Sequence, residues 1–419
     1  MFYGKKITVM GLGLLGRGVG DAAYLAEQGA DILVTDLKSK EELSESLEKL
    51  QEFSNIEYVL GEHRLSDFED RDFILKGNGV PLNNAYIEHA QKNGVEIVMS
   101  GALFHTLSDI PMIGVTGTRG KSTVTELIHH TLKRSILGGN IRGVSNLQLL
   151  KEVENNDVAV FELDSWQLQG FGYQKTSPHI AVFTNFMEDH LNYYPDMDTY
   201  FMDKAQIFLH QKSNDVLVIG EDVEDRVKKH TSRYVVAREG VVPPSWHPNL
   251  VGAHNARNAA CAYHALKAYG LSDAEIKESF ESFTAVPGRL ECLKEVNGVK
   301  VFNDNNATTP TATAAGIKAL TGSGKIIAII GGADKGLDTT PLTETLKDVD
   351  HVVLLAGTGT KRLDREEKVH ESLVSAVEEA FSVAGEGDVI LFSPGFASFG
   401  MFVNEYDRND QFVSLVHER

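Results

Sequence analysis

The chain has 419 residues, of which 42% are hydrophobic and 24% charged, a composition ordinary for a globular protein of roughly two to four domains. Its formal net charge of −19 argues against binding to nucleic acid or to an anionic membrane surface, so local groups must hold any anionic ligand. Two cysteines are too few for a disulfide framework, and no segment resembles a signal peptide or a membrane span, so we expect a cytoplasmic protein.

The chain opens with a predicted β-α-β unit that is typical of nucleotide-binding folds. A strand at residues 7–10 precedes the motif Gly-Leu-Gly-Leu-Leu-Gly at 11–16, a helix follows over 19–28, and a second strand ends at Asp36. Glycines at this spacing let the backbone approach a phosphate, and an acidic residue about 20 positions on can bind a ribose. The loop at residues 76–81 would close over the ligand. Two alternative interpretations remain. The chain could be a nicotinamide dehydrogenase, or the glycines could only permit close packing of the helix on the strand.

The second motif is Gly-Val-Thr-Gly-Thr-Arg-Gly-Lys-Ser-Thr at residues 114–123, between a predicted strand at 110–115 and a predicted helix at 124–133. Glycines let backbone N–H groups surround an anion, and the helix N-terminus adds positive potential. Lys121 would reach the outer phosphates and the Ser122 hydroxyl would ligate Mg²⁺. The strict P-loop pattern is not met, so a glycine-rich turn with an incidental lysine is the alternative.

Polar residues that follow the next strands are candidates for a metal site. Glu162 ends an apolar run at 158–161, where P-loop enzymes place an acid that faces the metal. His190 follows a predicted strand at 180–184, and Lys204 lies on a predicted helix at 200–208. A solvated acid, a structural histidine and a surface lysine are the corresponding alternatives.

Two further glycine-containing turns are predicted in this part of the chain, at residues 138–140 and 252–254. The second leads into an alanine-rich helix with Asn255 and Asn258 three residues apart, on one face. Such amides can read the edge of a base or can cap the helix.

The last part of the chain predicts a second doubly wound sheet, with strands at residues 299–302, 326–330, 351–355 and 389–392. Each strand ends in a polar or glycine-rich loop. Lys335 and the hydroxyls of Thr308 and Ser398 suit a small carboxylate ligand, although ordinary turn chemistry is the alternative.

The sequence therefore predicts an α/β protein of three domains. These are a Rossmann-like N-terminal domain at residues 1–108, a central P-loop ATPase domain with a mostly parallel sheet at 109–284, and a Rossmann-like C-terminal domain at 285–419.

Taken together, these motifs resemble the Mur ligases over the whole chain. The resemblance is carried by Gly-Thr-Arg-Gly-Lys-Ser-Thr, Glu-Leu-Asp-Ser-Trp-Gln-Leu, Glu-Asp-His-Leu, His-Asn-x-x-Asn, Gly-Arg-Leu-Glu, Gly-Gly-x-x-Lys-Gly and Ser-Pro-x-x-Ala-Ser. The Gly-Leu-Gly-Leu motif of the first domain and the Glu-Leu-x-Ser-x-Gln-Leu segment resemble the branch of the family that adds glutamate.

The resemblance implies ATP-dependent formation of an amide bond in peptidoglycan precursor synthesis. ATP would phosphorylate the terminal carboxylate of UDP-N-acetylmuramoyl-L-alanine, and the amine of D-glutamate would displace phosphate from the acyl phosphate. The resemblance also implies two Mg²⁺ ions and a monomer. Another acceptor such as L-glutamate, a nicotinamide-dependent oxidoreductase and a non-catalytic nucleotide-binding regulator remain alternatives.

The resemblance further assigns roles to individual residues. Lys121, Lys204 and His190 would be catalytic, and Ser122, Glu162, His190 and a carbamylated Lys204 would hold the metal. ATP would contact Gly114, Thr116, Gly117, Thr118, Arg119, Gly120, Lys121, Ser122, Thr123, Asn258, Arg289 and Asp304. The UDP-substrate would contact Gly13, Leu14, Leu15, Asp36, Asn78 and Asn140, and glutamate would contact Thr308, Lys335 and Ser398.

Five positions depart from the family pattern. Arg119 replaces a common Asn, Asp164 replaces a usual Ser, the pair at residues 305–306 replaces Ser-Lys, and Glu405 stands where an aromatic residue often lies. These departures concern the acceptor more than the use of ATP.

Overall fold

The computed structural model describes residues 1–14, 16–81, 83–190 and 193–419. It divides into two compact units, Met1–Val241 with Arg257–Ile276, and Val242–Ala256 with Lys277–Arg419. The first unit contains two sheets and the second unit contains a third. This α/β organisation agrees with the predicted fold class, while the predicted domain boundaries stay a prediction.

The first sheet has five parallel strands in the order β3-β2-β1-β4-β5. The strands are β1 (Lys6–Met10), β2 (Asp31–Asp36), β3 (Ile56–Leu60), β4 (Phe73–Lys76) and β5 (Glu96–Val98). The accompanying helices are α1 (Arg17–Glu27), α2 (Ser44–Glu48), α3 (Ala85–Lys92) and α4 (Ser100–Leu107). The strand order reverses at β1, and ligands of such sheets bind at the carboxyl ends of the strands beside that point.

The second sheet has six parallel strands in the order β11-β10-β9-β6-β8-β7. The strands are β6 (Met112–Thr116), β7 (Ser135–Gly139), β8 (Val158–Glu162), β9 (Ile180–Phe183), β10 (Val216–Gly220) and β11 (Val235–Ala237). The helices of this part of the chain are α5 (Lys121–Thr131), α6 (Ser165–Tyr173), α7 (Met197–Leu209), α8 (Glu224–Val227), α9 (Ala253–Tyr269) and α10 (Asp273–Ser282). Buried parallel strands have apolar residues on both faces, which is why β6, β8 and β9 could be predicted from apolar runs in the sequence.

The prediction of a glycine turn at residues 138–140 is wrong. Gly138 and Gly139 end β7, paired with Phe161 and Glu162 of β8. A Cβ atom on Gly138 would collide with the ring of Phe161, and one on Gly139 with the backbone of Glu162. Glycine here permits close strand packing and does not mark a turn.

The third sheet has the order β12-β13-β17-β14-β15-β16, and only the β12–β13 pair among its described pairings is antiparallel. The strands are β12 (Glu291–Val296), β13 (Val299–Asn303), β14 (Ile326–Ile330), β15 (His351–Leu355), β16 (Val369–His370) and β17 (Val389–Phe392). The helices are α11 (Pro310–Leu320), α12 (Thr340–Thr345), α13 (Leu373–Val383) and α14 (Glu405–His417).

Each sheet is covered by apolar side chains of its helices. In the first sheet Ile7 and Val34 pack with Leu25 of α1, and in the second Phe161 stacks on Phe104 with ring centroids 4.7 Å apart. In the third, Phe392 stacks on Phe412 of α14 at 4.3 Å. None of the described helices combines the length and apolar character that crossing a bilayer requires.

Candidate active site

The phosphate loop lies between β6 and α5, as the sequence predicts, although the helix begins at Lys121, three residues earlier than expected. Gly117 and Gly120 adopt φ angles of 147° and 80°, which other residues rarely adopt. The Nζ of Lys121 donates to the carbonyl oxygens of Gly117 and Thr118, at 3.1 and 3.2 Å. The buried Oγ1 of Thr116 has no hydrogen-bond partner among the described residues. A glycine loop, a helix N-terminus, a lysine and an unpaired hydroxyl are groups that fit a phosphate chain.

Two predicted metal-facing residues are in direct contact. The Oγ of Ser122 donates to Oε2 of Glu162 at 2.5 Å, and the Nδ2 of Asn140 donates to Oε1 of the same carboxylate at 3.3 Å. Hydroxyl and carboxylate oxygens are the ligands that Mg²⁺ prefers. The described residues contain no group of three or more His, Cys, Asp or Glu side chains placed to hold a metal ion, so a Mg²⁺ site here would depend on Ser122 and Glu162 together with groups of other kinds.

His190 is half-buried and adopts a left-handed φ of 55°. Its ring lies 4.9 Å from that of Trp166, and its Nε2 lies 3.9 Å from a carboxylate oxygen of Asp189. Burial lowers the pKa of His190, and the positive charges of Lys204 and Lys121 lower the pKa further, against the opposite effect of Asp189. These effects favour the neutral imidazole, which is the form that binds metal ions.

Lys204 is not a surface lysine, so that alternative is wrong. Its side chain is 2% exposed, and its Nζ donates to the carbonyl oxygen of Gly117 in the phosphate loop at 2.8 Å. Burial, with the positive charge of Lys121, lowers the pKa of Lys204 well below its ordinary value. A neutral amine is the form that can react with CO₂, and the carbamate stays a prediction.

Residues after β9 hold the phosphate loop in place, and the sequence did not assign them this role. The Oδ1 of Asn185 accepts from the backbone N–H of Arg119 at 2.8 Å, and the Oγ1 of Thr184 donates to the carbonyl of Arg119 at 2.6 Å. The guanidinium of Arg119 lies 3.6 Å from Asp189. The sequence did contain a signal for this role of Asn185, because it is a polar residue that directly follows the predicted strand at 180–184. Asn258 also lies against this loop, since a Cβ atom on Gly120 would collide with its amide.

A cavity of about 480 Å³ opens at the carboxyl ends of β1 and β4. The predicted residues Gly13, Leu14, Asp36 and Asn78 line it. It is also lined by Lys76, from the loop predicted to close over the ligand, and by residues that the sequence did not single out, namely Arg17, Lys38, His63, Asn84 and Tyr86. The predicted residue Leu15 lies outside the described residues.

The carboxylate of Asp36 lies at the carboxyl end of β2 and accepts from two backbone N–H groups. These are the N–H of Gly13 at 3.2 Å and that of Lys38 at 2.9 Å. Asp36 therefore ties the glycine loop to the end of β2. Asn140, the remaining predicted contact of the nucleotide, accepts on Oδ1 from Nη1 of Arg17 at 2.8 Å.

In the unit with the third sheet, Lys335 and Thr308 are in contact, with Nζ donating to Oγ1 at 3.0 Å, and their role toward glutamate stays a prediction. They line a small depression with Pro310, Asp334, Leu337, Gly395 and Phe396. Ser398 is buried and is absent from the described lining of this depression.

Asp304 is buried in the same unit, and the positive charge of Arg289 acts on its carboxyl group. It accepts from Ser393 Oγ at 2.8 Å and from the N–H of Leu290 at 3.1 Å. Burial raises the pKa of Asp304 to about 7, against the opposing effects of these hydrogen bonds and of Arg289. The predicted roles of Asp304 and Arg289 toward ATP stay predictions.

One departure from the family pattern has a structural explanation. Asn305 is 1% exposed, accepts on Oδ1 from Nε of the buried Arg408 at 2.8 Å, and donates to the carbonyl of Glu405 at 2.9 Å. The asparagine therefore holds the start of α14 and does not face a ligand.

Comparisons with known proteins agree with these features. Residues 5–99 match the family "Mur ligase MurD-like, N-terminal domain", residues 115–240 match "Mur ligase middle domain", and residues 288–396 match "Mur ligase, glutamate ligase domain". A protein of Roseiflexus sp. (strain RS-1) is 35% identical over 99% of this chain and 98% of its own length. One of Borreliella burgdorferi (strain ZS7) is 33% identical over 98% and 97%. Both carry the name UDP-N-acetylmuramoylalanine--D-glutamate ligase.

Solved structures support the same fold. The UDP-N-acetylmuramate-alanine ligase MurC of Thermotoga maritima superposes with a TM-score of 0.60 at 20% identity, covering 99% of both chains. The MurF ligase of the same organism, in complex with ADP, gives a TM-score of 0.59 at 19% identity over 80% of this chain and 91% of its own. Because one family matches all three parts of the chain and its relatives align from end to end, the chain belongs to the Mur ligase family.

Proposed function

We propose that this protein is an ATP-dependent ligase that joins D-glutamate to UDP-N-acetylmuramoyl-L-alanine. The names of the relatives that align over nearly the full length support this substrate pair. The nicotinamide-dependent oxidoreductase and the non-catalytic regulator have no support in the matched families.

The reaction would proceed in two displacements. A carboxylate oxygen of the L-alanyl group attacks the γ-phosphorus of ATP, and ADP leaves. The amine of D-glutamate then attacks the acyl carbon, phosphate leaves with the bonding electron pair, and the nitrogen releases a proton. Phosphoryl transfer of this kind depends on positioning and on charge neutralisation more than on a protein nucleophile.

The chain's own residues would supply that positioning. The N–H groups of residues 117–120 and the ammonium of Lys121 would hold the phosphates of ATP. Ser122 and Glu162 would hold one Mg²⁺, with His190 and carbamylated Lys204 at a second ion. Mg²⁺, when bound, would neutralise negative charge on the phosphates.

Each predicted domain would have one ligand. Residues 1–108 would bind the uridine nucleotide in the 480 Å³ cavity, and residues 109–284 would bind ATP. Residues 285–419 would bind D-glutamate through the ammonium of Lys335, with Thr308 and Ser398 as hydroxyl donors. The enzyme would act as a monomer in the cytoplasm.

The observation that carries the proposal is the contact chain Ser122–Glu162–Asn140–Arg17, which joins the phosphate loop to the nucleotide cavity. Transfer of a phosphoryl group from ATP to a nucleotide-linked carboxylate requires two such sites side by side. An oxidoreductase would leave the phosphate loop without a role.

The experiment is a phosphate-release assay with ATP, UDP-N-acetylmuramoyl-L-alanine and a panel of D- and L-amino acids. UDP-N-acetylmuramate, which lacks the alanyl carboxylate, is the control substrate. We expect sustained phosphate release only with the alanyl substrate and D-glutamate. Faster release with L-glutamate would change the assigned acceptor, and no release with any amino acid would contradict the ligase assignment.

A further inference from the structure

Arg17 is a half-buried cation, and the described residues include no carboxylate in ion-pair contact with it. It is the first residue of α1 and lines the nucleotide cavity. Its Nη1 donates to the neutral amide oxygen of Asn140 at 2.8 Å, while its Nε is buried and unpartnered in the part of the chain that the structure describes. Partial burial of a guanidinium without a carboxylate is unfavourable, so the arrangement suits an anion supplied by a ligand.

The acids near Arg17 do not fill this role. The carboxyl group of Asp21 accepts from Ser145 Oγ at 2.6 Å and from the N–H of Leu147 at 3.1 Å. Burial raises the pKa of Asp21, against the opposing effects of these hydrogen bonds and, as the smallest contribution, of the Arg17 charge, and this shift favours the neutral acid. Asp36, the other acid that lines the cavity, is occupied by the backbone N–H groups of Gly13 and Lys38.

The other cations that line the cavity are placed differently. The Nζ of Lys76 donates to the carbonyls of Gly77 and Val80, at 3.1 and 2.5 Å, and its side chain is 2% exposed. Lys38 follows β2 at the Asp36 end. Arg17 instead adjoins the glycine loop, where Gly16 precedes the first residue of α1 and the first turn of the helix has no acidic residue. The guanidinium and the partial positive charge of the helix N-terminus therefore lie together.

We propose that Arg17 binds the diphosphate of the nucleotide substrate, and that Asn140 orients its guanidinium. This assignment rests on the proposed function, which places a uridine diphosphate in the cavity. The planar guanidinium matches two phosphate oxygens, and in a protein with a net charge of −19 a local cation must attract this anion. Asn140 accepts from Arg17 and donates to Glu162, so it spans the cavity and the phosphate loop. It acts as a positioning residue.

Binding of UDP, UMP and uridine to the full-length protein tests this assignment by titration calorimetry. Arg17→Met keeps most of the side-chain length and removes the charge. We expect it to weaken UDP binding about 10- to 100-fold, the usual effect of losing a charge-assisted hydrogen-bonding group, and to change uridine binding by less than about twofold. Arg17→Lys keeps the positive charge, so it should retain part of the affinity for UDP. UDP binding by this variant should also still depend on salt concentration.

The matched control is Arg134→Met, which removes the same charge from an exposed ion pair with Asp157 outside the cavity lining. It should bind all three probes as the wild type does. Equal weakening of UDP and uridine by Arg17→Met would indicate a merely structural effect and overturn the proposal. UDP binding that is unchanged in Arg17→Met, in a protein that still ligates D-glutamate, would overturn this assignment alone. A wild type that binds none of the probes would overturn it together with the proposed nucleotide site.

Discussion

Lys204 is the residue whose surroundings most constrain the chemistry. It lies on α7, 87 positions from Gly117 in sequence, and its Nζ reaches that residue's carbonyl oxygen in the phosphate loop. Burying an amine beside Lys121 costs free energy, because both burial and a like charge disfavour the ammonium form. A function that needs the neutral amine would account for a lysine buried at this position.

We predict that Lys204→Ala loses most ligase activity and that acetate or formate partly restores it. A small carboxylate can occupy the space of the missing carbamate and offer the same oxygen ligands to Mg²⁺. Lys121→Ala is the matched control, since it should lose about 10²- to 10³-fold in rate without any rescue by carboxylates. The ligase activity of both variants, with and without added carboxylate, is measured as the initial rate of phosphate release. A fully active Lys204→Ala enzyme would remove the carbamate from the mechanism.

Asp304 gives a prediction of pH dependence. Its folded pKa of about 7 exceeds the ordinary 3.8, so between these values the folded protein binds more protons than the unfolded chain. The contribution of Asp304 to the free energy of unfolding is therefore fully present below pH 3.8 and is lost as the pH rises through about 7. Asp304→Asn removes this dependence.

Hydrogen exchange of the β13 amides measures the local free energy of opening beside Asp304. The stability of the wild type relative to Asp304→Asn should fall as the pH is raised across this range and should then level off. A difference that stays constant with pH would show that Asp304 ionises normally in the folded protein.

At the scale of elements, the turn from β6 into α5 depends on Gly120. Its φ of 80° is left-handed, and a Cβ atom there would collide with the amide of Asn258. Gly240 has nearly the same φ, 85°, with no atom within 4 Å of an added Cβ. Substituting each glycine by alanine therefore distinguishes two effects. Both substitutions strain the backbone, but only the one at Gly120 also places a methyl group against Asn258, which lies beside the phosphate loop.

We predict that Gly120→Ala and Gly240→Ala each lose about 1–2 kcal/mol of stability, because both place an L-residue in the left-handed region. Only Gly120→Ala should raise the KM for ATP, by more than about tenfold, since only there does the added methyl group displace a residue at the phosphate loop. Steady-state kinetics with varied ATP measures this. Equal KM values for ATP in both variants would contradict the role given to Gly120.

The loops that follow β13 and β14 bring Thr308 and Lys335 together. Lys335→Ala should raise the KM for D-glutamate far more than the KM for ATP, because it removes the ammonium that would pair with a carboxylate of the acceptor. Lys347→Ala is a control, as this exposed lysine of the same unit pairs only with Glu344 in the described contacts. Equal effects of Lys335→Ala on both substrates would count against the acceptor pocket.

At the scale of the whole molecule, the net charge of −19 opposes the approach of substrates that are all anions. Raising the ionic strength from about 0.01 M to about 0.15 M shortens the Debye length from about 30 Å to about 8 Å and screens this repulsion. We therefore predict that the association rate constant for UDP rises over this range. Stopped-flow fluorescence at constant pH measures it. If the association rate constant instead falls steeply as the ionic strength rises, the local cations attract UDP more strongly than the net charge of the protein repels it.

The sequence by itself determined several of the buried parallel strands. Three predicted apolar runs, at residues 326–330, 351–355 and 389–392, coincide with β14, β15 and β17. Buried parallel strands have apolar residues on both faces, so a local pattern suffices to find them. The same reasoning failed at β7, because its glycines are required by the neighbouring strand and not by a turn.

The phosphate loop and the nucleotide loop were also determined locally, since a glycine motif between a strand and a helix is contained in about 20 residues. Tertiary structure alone decided which side chains meet. Ser122 contacts Glu162 from 40 positions away, and Arg17 contacts Asn140 from 123 positions away. These contacts depend on the order of strands in each sheet and on how the two sheets of the first unit pack together. That order arises from long-range pairing and packing, which no local segment of the sequence encodes.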